Sequence, residues 1–548
     1  MKIGIFLTYK PNTVLTSEGL GRYLASLVKG FVDTDNEVVI ACPEWLENTL
    51  NLLFEDYRIN KKSVTLVTVS QPISIRFMML LGKRKKQERK SKGKIKRLVS
   101  NLLFETLNNV LSITNAILFF TVLLVGVILV TGLLPFFLVS LIIVLIMQLI
   151  RKFIKRPKDK FNLYMNRTFI KKIVISVLLR IFTWTQKPGY SLYEAVINKN
   201  IEKLINKINL IEPVDIWYSP NAFPTMFEKI NGVKVINVPD LVTAVYPQRF
   251  LDMSPLLQTE KIRNVIKSSS YFITYSSYIK KTIVIDDFMK KDENIKVIEH
   301  ATNDLSSYID IYSNSKHLDY PYNVNFVFAR QQLNLLKVKA SLPILPHIHE
   351  YVANLNFKDV KYIFYSSQIR PHKNIINLLK AYEYVLRRKF KQVKLILTGK
   401  YSADEEVKKF ILEKRLQYDV LSFSNVSSQM LACLYACAEL VVNPTLYEGG
   451  FPFTLTEGLS VGTPSVMSRI PQVLEKLGDE DSEDYLFDPY NWKDIAEKII
   501  YGLENKDNLY ERQNKIYQKM KERTITVMAH EYVDAFKYFI DKSAHQKD

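Results

Sequence analysis

The stretch ELVVNPTLYEGGFPFTLTEGLSVGTPSVMS, residues 439–468, decides the fold. The apolar run ELVVNP predicts a strand. The loop TLYEGG follows, and a helix is predicted to start near Pro452, because proline suits a first helical turn. A second strand is predicted at PSVMS. Strand, helix and strand in this order form a parallel crossover. Gly449 and Gly450 let a ligand approach the backbone, and the free N–H groups of a helix start face an anion. Glu457, about one and a half turns into the helix, can accept hydrogen bonds from hydroxyl groups, from two at once if they are vicinal. Glu448, on the loop, can serve another hydroxyl group or simply favour the helix dipole.

The same alternation extends in both directions. Upstream lie the strand-like runs KYIFYS, VKLILTG and DVLSF, separated by the helical stretches NIINLLKAYEYVLRR, SADEEVKKFILEKRL and SSQMLACLYACA. Residues 351–525 therefore read as one doubly wound domain. Residues 1–350 repeat the pattern: KIGIFL, EVVIAC, SVTLVTV, DIWYS, VKVINV, YFITYS and IKVIEH are strand-like. The expected architecture is α/β, two doubly wound domains facing a cleft at the carboxyl ends of their strands, where ligands of such sheets bind. The connector SLPILPHIHEY joins the domains, and a last helical stretch, within 526–548, trails the second.

The net charge of +20 is local: residues 83–180 carry +17 of it, which argues against nucleic acid as a partner. This basic segment surrounds residues 106–150, which contain no Asp, Glu, Lys, Arg or His. A bilayer core takes about 20 apolar residues per helix. Two spans fit, about 112–130 and 134–151, with Gly132 and Pro135 marking the turn. Residues 83–185 are thus expected to be a transmembrane hairpin inserted in the first domain, with cytoplasmic basic flanks and lipid contacts. Both globular domains then lie on the cytoplasmic side, and strands on either side of the insert belong to one sheet. The chain opens on a strand-like run, not on a secretory signal. Cys42, Cys433 and Cys437 suit a reducing compartment and read as core thiols.

Other chemistry-bearing residues are fewer. In SSQIRPHKN, 366–374, Arg370 and Lys373 sit on a loop between a predicted strand and helix, a place that suits a diphosphate as well as it suits solvated charges. His300 either touches a ligand or packs. His347 and His349 have no third ligand nearby, and the acidic pairs at 33–35 and 479–481 read as turns, so no metal is expected.

The run YEGGFPFTLTEGLSVGTP resembles the Glu-x7-Glu signature of glycosyltransferase family 4, retaining enzymes of the two-domain B-type fold. SSQIRPHKNI resembles the family's Arg/Lys loop and GLGRY, 19–23, its N-terminal glycine loop. VPDLVTAVYP, 238–247, and EHATND, 299–304, resemble further segments. Three departures stand out. Eight residues, not seven, separate Glu448 from Glu457, and the second glycine of the pair accounts for the extra one. Gln368 stands where the family's phosphate-loop arginine is usual, and Pro239 where a histidine often precedes the aspartate.

The resemblance implies that Glu457 holds the ribose of a nucleotide-diphosphate sugar donor and Glu448 faces its sugar. Gly449, Gly450 and Phe451 would lie near the diphosphate, with Arg370 and Lys373 as its cationic clamp. Gly19 and Gly21 would open space from the other domain, and Asp240 and His300 are candidate substrate contacts. No cofactor is implied. The expected function is a membrane-anchored retaining glycosyltransferase, hexosyl-transferring and metal-independent, acting on a glycan or lipid-linked glycan acceptor in polysaccharide or glycolipid synthesis. A non-catalytic scaffold for glycan assembly and a sugar-nucleotide epimerase are the alternatives. Oligomeric state is left open.

Overall fold

The protein was analysed as a computed structural model that describes residues 1–76, 193–246, 253–309, 324–336 and 351–545, apart from short interruptions, together with 118, 119, 121, 122 and 125. The expected spans at 112–130 and 134–151, the basic run 83–97, the connector histidines His347 and His349, and the acidic turn 479–481 lie outside the described residues, but for those five positions. Among the described residues no helix is long and apolar enough to cross a membrane.

Two parallel sheets organise the described chain. The first holds β1 (Lys2–Phe6), β2 (Glu37–Pro43), β3 (Val64–Val69), β4 (Ile216–Ser219), β5 (Lys234–Val238), β6 (Tyr271–Thr274) and β7 (Ile295–Val297), in the order β3-β2-β1-β4-β5-β6-β7. The strands are short apolar runs because helices cover both faces, leaving no polar side. Strands before and after the basic segment share this sheet: β1 pairs with β4 in parallel, Ile3 opposite Ile216 and Ile5 opposite Tyr218. The second sheet holds β8 (Tyr362–Tyr365), β9 (Lys394–Leu397), β10 (Val420–Ser422), β11 (Leu440–Asn443), β12 (Ser465–Ser468) and β13 (Leu486–Phe487), in the order β10-β9-β8-β11-β12-β13. The opening stretch folds as read: β11, a loop, the helix Phe453–Leu459 and β12, with Val442 opposite Val466.

Packing moves two boundaries. The helix Val324–Leu336 buries Ala329 and Leu333, one turn apart, in the core that also holds Phe364, Leu431 and Leu434. Leu305 and Ile309 join the same core, so the second domain begins well before the expected position at 351. The last helix, Ile525–His545, was expected to trail the second domain but packs on the first. Met528, Tyr532, Phe536 and Phe539 are buried in the N-terminal core against the helix Gly19–Asp33 and β4. Tyr532 lies edge-on to Phe31 and Tyr218, and its hydroxyl is hydrogen-bonded to that of Tyr23. Its apolar face finds there the aromatic surface that the first sheet would otherwise expose.

Among the described residues the chain therefore crosses between domains twice, near 300–305 and 520–525, and the crossings are laced together. The Thr302 amide donates to the Arg523 carbonyl (3.0 Å). Arg523 donates to the carbonyls of Glu299 (2.8 Å) and His300 (3.2 Å) and forks onto both carboxylate oxygens of Glu531 (2.7 and 2.6 Å).

Candidate functional site

Each sheet reverses its order of construction once, at β1/β4 and at β8/β11, and the loops leaving such points open into a crevice. The loop after β1 leads to the helix Gly19–Asp33, and the loop after β4 carries Asn221 and Phe223. In the other domain β8 leads to residues 366–373 and β11 to residues 445–452. Together they wall a cleft of about 810 Å³ between the domains. Glu448, Arg370, Lys373, Glu457, Gly449, Gly450, Phe451, Gly19, Asp240 and His300 all line it.

Gly21 does not. A Cβ there would lie 2.0 Å from the carbonyl oxygen of Leu15, so this glycine is required for close packing of the loop on its own helix, not to make room for a ligand. Pro452 also differs slightly from expectation. It sits at the N-cap with an extended backbone (φ −66°, ψ 131°), and Glu457 is the fifth helical residue.

The charges are arranged in two layers. At the cleft mouth Lys373 is paired with Glu448 (17% and 21% exposed). Arg370 donates through Nε and Nη2 to the side-chain oxygen of Gln368 (2.9 and 2.6 Å), so Gln368 orients the guanidinium. Lys373 ends a short 3-10 turn, and Asn374 enters the next helix in the left-handed region (φ 57°), where its side chain donates to the carbonyls of Pro444 (3.0 Å) and Pro489 (2.6 Å). That anchor ties the basic loop to the strand end that carries Glu448. Opposite them Asp240 faces the cleft from the end of β5. Desolvation between the domains, then the charge of Glu448, holds its carboxyl above the ordinary range, against the opposing pull of Lys373 and Arg370.

Deeper, Glu457 is 1% exposed and accepts three hydrogen bonds. Arg22 Nη1 (2.9 Å) and Asn303 Nδ2 (2.7 Å) reach Oε1, and the Tyr435 hydroxyl (2.6 Å) reaches Oε2. Burial, then the nearby Glu457 charge, pushes the Tyr435 phenol far up, so it remains a donor. Sequence reasoning missed these three partners. Arg22 and Asn303 stand within the quoted GLGRY and EHATND segments, which was the available signal.

His300 packs with Tyr275 (centroids 4.0 Å apart), Phe453 (4.8 Å) and Tyr23 (5.0 Å). Desolvation, reinforced by Arg523, lowers its pKa to about 3, so the ring is neutral at physiological pH. The acidic pair at 33–35 is a turn: Asp33 ends its helix and pairs with Lys29 (3.2 Å), and Asp35 (φ 56°) leads into β2.

The domains touch along the cleft floor. Ser276 Oγ donates to the Gly449 carbonyl (2.9 Å), and the amides of Ser277 (2.7 Å) and Tyr278 (3.2 Å) donate to Glu475. A Cβ on Gly449 would lie 1.7 Å from the Pro239 carbonyl oxygen, so two backbones from different domains meet at this glycine.

Residues 348–523 match the family model described as "Glycosyl transferases group 1". The chain is 29% identical over 145 residues to O-antigen chain mannosyltransferase B of Escherichia coli, covering 26% of this chain and 37% of that protein. It is 34% identical over 108 residues to the MMP alpha-(1->4)-mannosyltransferase of Mycolicibacterium hassiacum, 20% of this chain and 26% of that protein. These matches span well under half of either relative's length. Among solved structures, S. aureus TarM in complex with fondaparinux, alpha-GlcNAc-glycerol and UDP has a TM-score of 0.53 at 12% identity, covering 98% of this chain and all (100%) of that one. Anabaena HepE in complex with UDP-glucose has a TM-score of 0.51 at 13% identity, covering 98% of this chain and 99% of that one. The shared architecture is that of B-type glycosyltransferases, two parallel-sheet domains.

Proposed function

We propose that the protein is a retaining glycosyltransferase that moves a sugar from a nucleoside-diphosphate donor to a glycan or lipid-linked glycan at a membrane. One observation carries this reading. Arg370, Lys373 and Glu448 leave the switch point of one sheet, meet Asp240 from the other, and do so within the segment that matches the family. Glu457, an acceptor-only carboxylate at the cleft floor, suits the ribose hydroxyls. Glu448 suits a hydroxyl group of the donor sugar.

In the proposed reaction the bond from the anomeric carbon to the diphosphate oxygen breaks, and its electron pair leaves with the diphosphate. The acceptor oxygen bonds to the same carbon on the same face, and its proton passes to the departing phosphate. Negative charge grows on the leaving group, where Arg370 and Lys373 are already placed, so charge stabilisation needs little reorganisation and no divalent ion. Glu448 then shares Lys373 with the diphosphate.

The membrane part of the reading rests on residues 106–150, free of charged side chains, with basic flanks. The pairing of β1 with β4 supports an even number of crossings, since the chain leaves the sheet after β3, at Val69, and rejoins the same sheet at β4, at Ile216.

The test is nucleotide release by detergent-solubilised protein from a panel including GDP-mannose, UDP-glucose and UDP-GlcNAc, with EDTA present and Glu457→Ala as control. Release from one donor that is lost in the control is expected. Failure of the protein to release or bind any nucleotide of the panel would overturn the assignment.

A further inference from the structure

Glu457 has more partners than a ligand-binding carboxylate can spare. A carboxylate offers about four lone-pair directions. Arg22, Asn303 and Tyr435 take three of them, leaving room for one more donor. A vicinal diol held by both its hydroxyls needs two.

The three partners are not equivalent. Tyr435 lies on the helix Ser428–Ala436 of the same domain and is fully buried. Asn303 lies in the crossover that both domains share. Arg22 comes from the opposite domain, 435 positions away in sequence, and its side chain is 28% exposed. It is the partner that opening of the cleft withdraws while the other two stay. It also has somewhere to go. Arg22 lines a second cavity of about 500 Å³ on its far side, walled by Asp33, Asp56, Asp304 and Tyr57. Carboxylates are the groups to which a guanidinium transfers most readily.

We propose that Arg22 is a stand-in for substrate: its guanidinium holds the position on Glu457 that the ribose diol of the nucleotide takes, and the two exclude each other. Arg22 is thus a positioning residue. It keeps the buried carboxylate oriented until the diol replaces it, and it sets the affinity for any nucleotide that carries the diol. The inference rests on the reading of the cleft as a nucleotide-sugar site.

The test is isothermal titration of the full-length, detergent-solubilised protein with UDP and GDP, each beside its 2′,3′-dideoxy analogue. Wild type, Arg22→Gln, Arg22→Lys and Glu457→Gln are compared, with a melting curve for each. For the nucleotide that wild type binds, Arg22→Gln should tighten the ribo form about tenfold, as one charge-assisted hydrogen bond ceases to compete. The dideoxy form should be unchanged within about twofold, and Glu457→Gln should erase the difference between the two forms. A purely structural role for Arg22 would shift both forms together. If Arg22→Gln does not fold, Arg22→Lys, which keeps the charge but loses the planar fork, should give a smaller, still diol-dependent gain. An equal change in both forms, or weaker binding of the ribo form, overturns the inference while the donor reading stands. Failure of wild type to bind either nucleotide overturns both.

Discussion

Gly449→Ala is the sharpest test of the closed cleft. The added Cβ would lie 1.7 Å from the Pro239 carbonyl oxygen and 2.6 Å from its carbonyl carbon, about half and about three quarters of the 3.4 Å at which ordinary contact begins. Pro239 directly follows β5, an inner strand of the first sheet, so the obstacle is backbone and no rotamer change relieves it. The two domain cores do not include this contact, and the cheapest relief is rotation of one domain away from the other. The backbones must part by about 1.7 Å to bring that Cβ out to ordinary contact with the oxygen. That movement breaks the Ser276–Gly449 hydrogen bond of 2.9 Å and carries Asp240 away from Glu448 and Lys373. A misplacement of about 1 Å near reacting groups can cost about 10²-fold in rate, so kcat/KM for donor turnover should fall by about that factor. The melting temperature should drop by only about 2–4 °C, the effect of one lost hydrogen bond on a domain of this size. Small-angle scattering should show a larger radius of gyration. Gly450→Ala should be milder, because its Cβ would come no nearer than 2.8 Å to Tyr275 Cβ and 3.3 Å to the His300 ring, against 1.7 Å to backbone for Gly449→Ala. Gly19→Ala, whose Cβ meets nothing within 4 Å, should leave the shape unaltered. Gly449→Ala with wild-type turnover and scattering would refute the claim that this backbone contact sets the cleft.

Glu457→Gln should destabilise the protein by about 3 kcal/mol, the low end for breaking a buried ion pair, because Arg22 retains some solvent; urea denaturation at wild-type midpoint would contradict the pairing. Arg523→Ala removes two bonds to backbone carbonyls and a fork onto Glu531, together worth roughly 3 kcal/mol. Calorimetry should then resolve two transitions where wild type has one, and an unsplit wild-type profile would count against the laced crossings. Acid should destabilise the protein through two histidines. Burial lowers His300 to about 3, with help from Arg523, and His372 to about 2, with help from Lys373 and Arg370, whereas the unfolded residues titrate near 6.5. Below 6.5 the unfolded chain binds protons that the folded chain refuses, so this stability is complete above 6.5 and declines as pH falls towards 3. The slope reaches up to ~1.4 kcal/mol per pH unit for each histidine. His300→Gln and His372→Gln should flatten the curve between pH 6 and 4 (about two units of that window), and an unchanged slope would contradict their burial as neutral rings.

The sheets were legible because fully covered parallel strands are short apolar runs between helices, and runs such as KIGIFL, DIWYS and ELVVNP stand out from their surroundings. β13, only Leu486–Phe487, is too short to stand out. The loops at strand ends were legible for the same reason, and with them Glu448, Arg370 and Lys373. What failed was partnership at long range. The spacing of Tyr532, Phe536 and Phe539 says that the last helix buries a face, but nothing local says which domain covers it. Arg22 reads as one more charge on a helix until the fold brings Glu457 to it. Gly21 shows the opposite problem: a glycine beside a cleft looks the same in sequence whether it yields to a ligand or to its own loop.

The lacing of the two crossings has a mechanical consequence. A single linker would let the domains twist, slide and tilt independently. Here Thr302 and Arg523 fasten one crossing to the other, and the final helix returns to bolt itself into the first domain. The joint behaves as a door on one pin, with swing as its main freedom. Positions on opposite walls, Pro239 and Gly449 among them, meet again in the same register at every closure. A substrate then has one angle to set instead of six coordinates, which lowers the ordering cost of assembling the site.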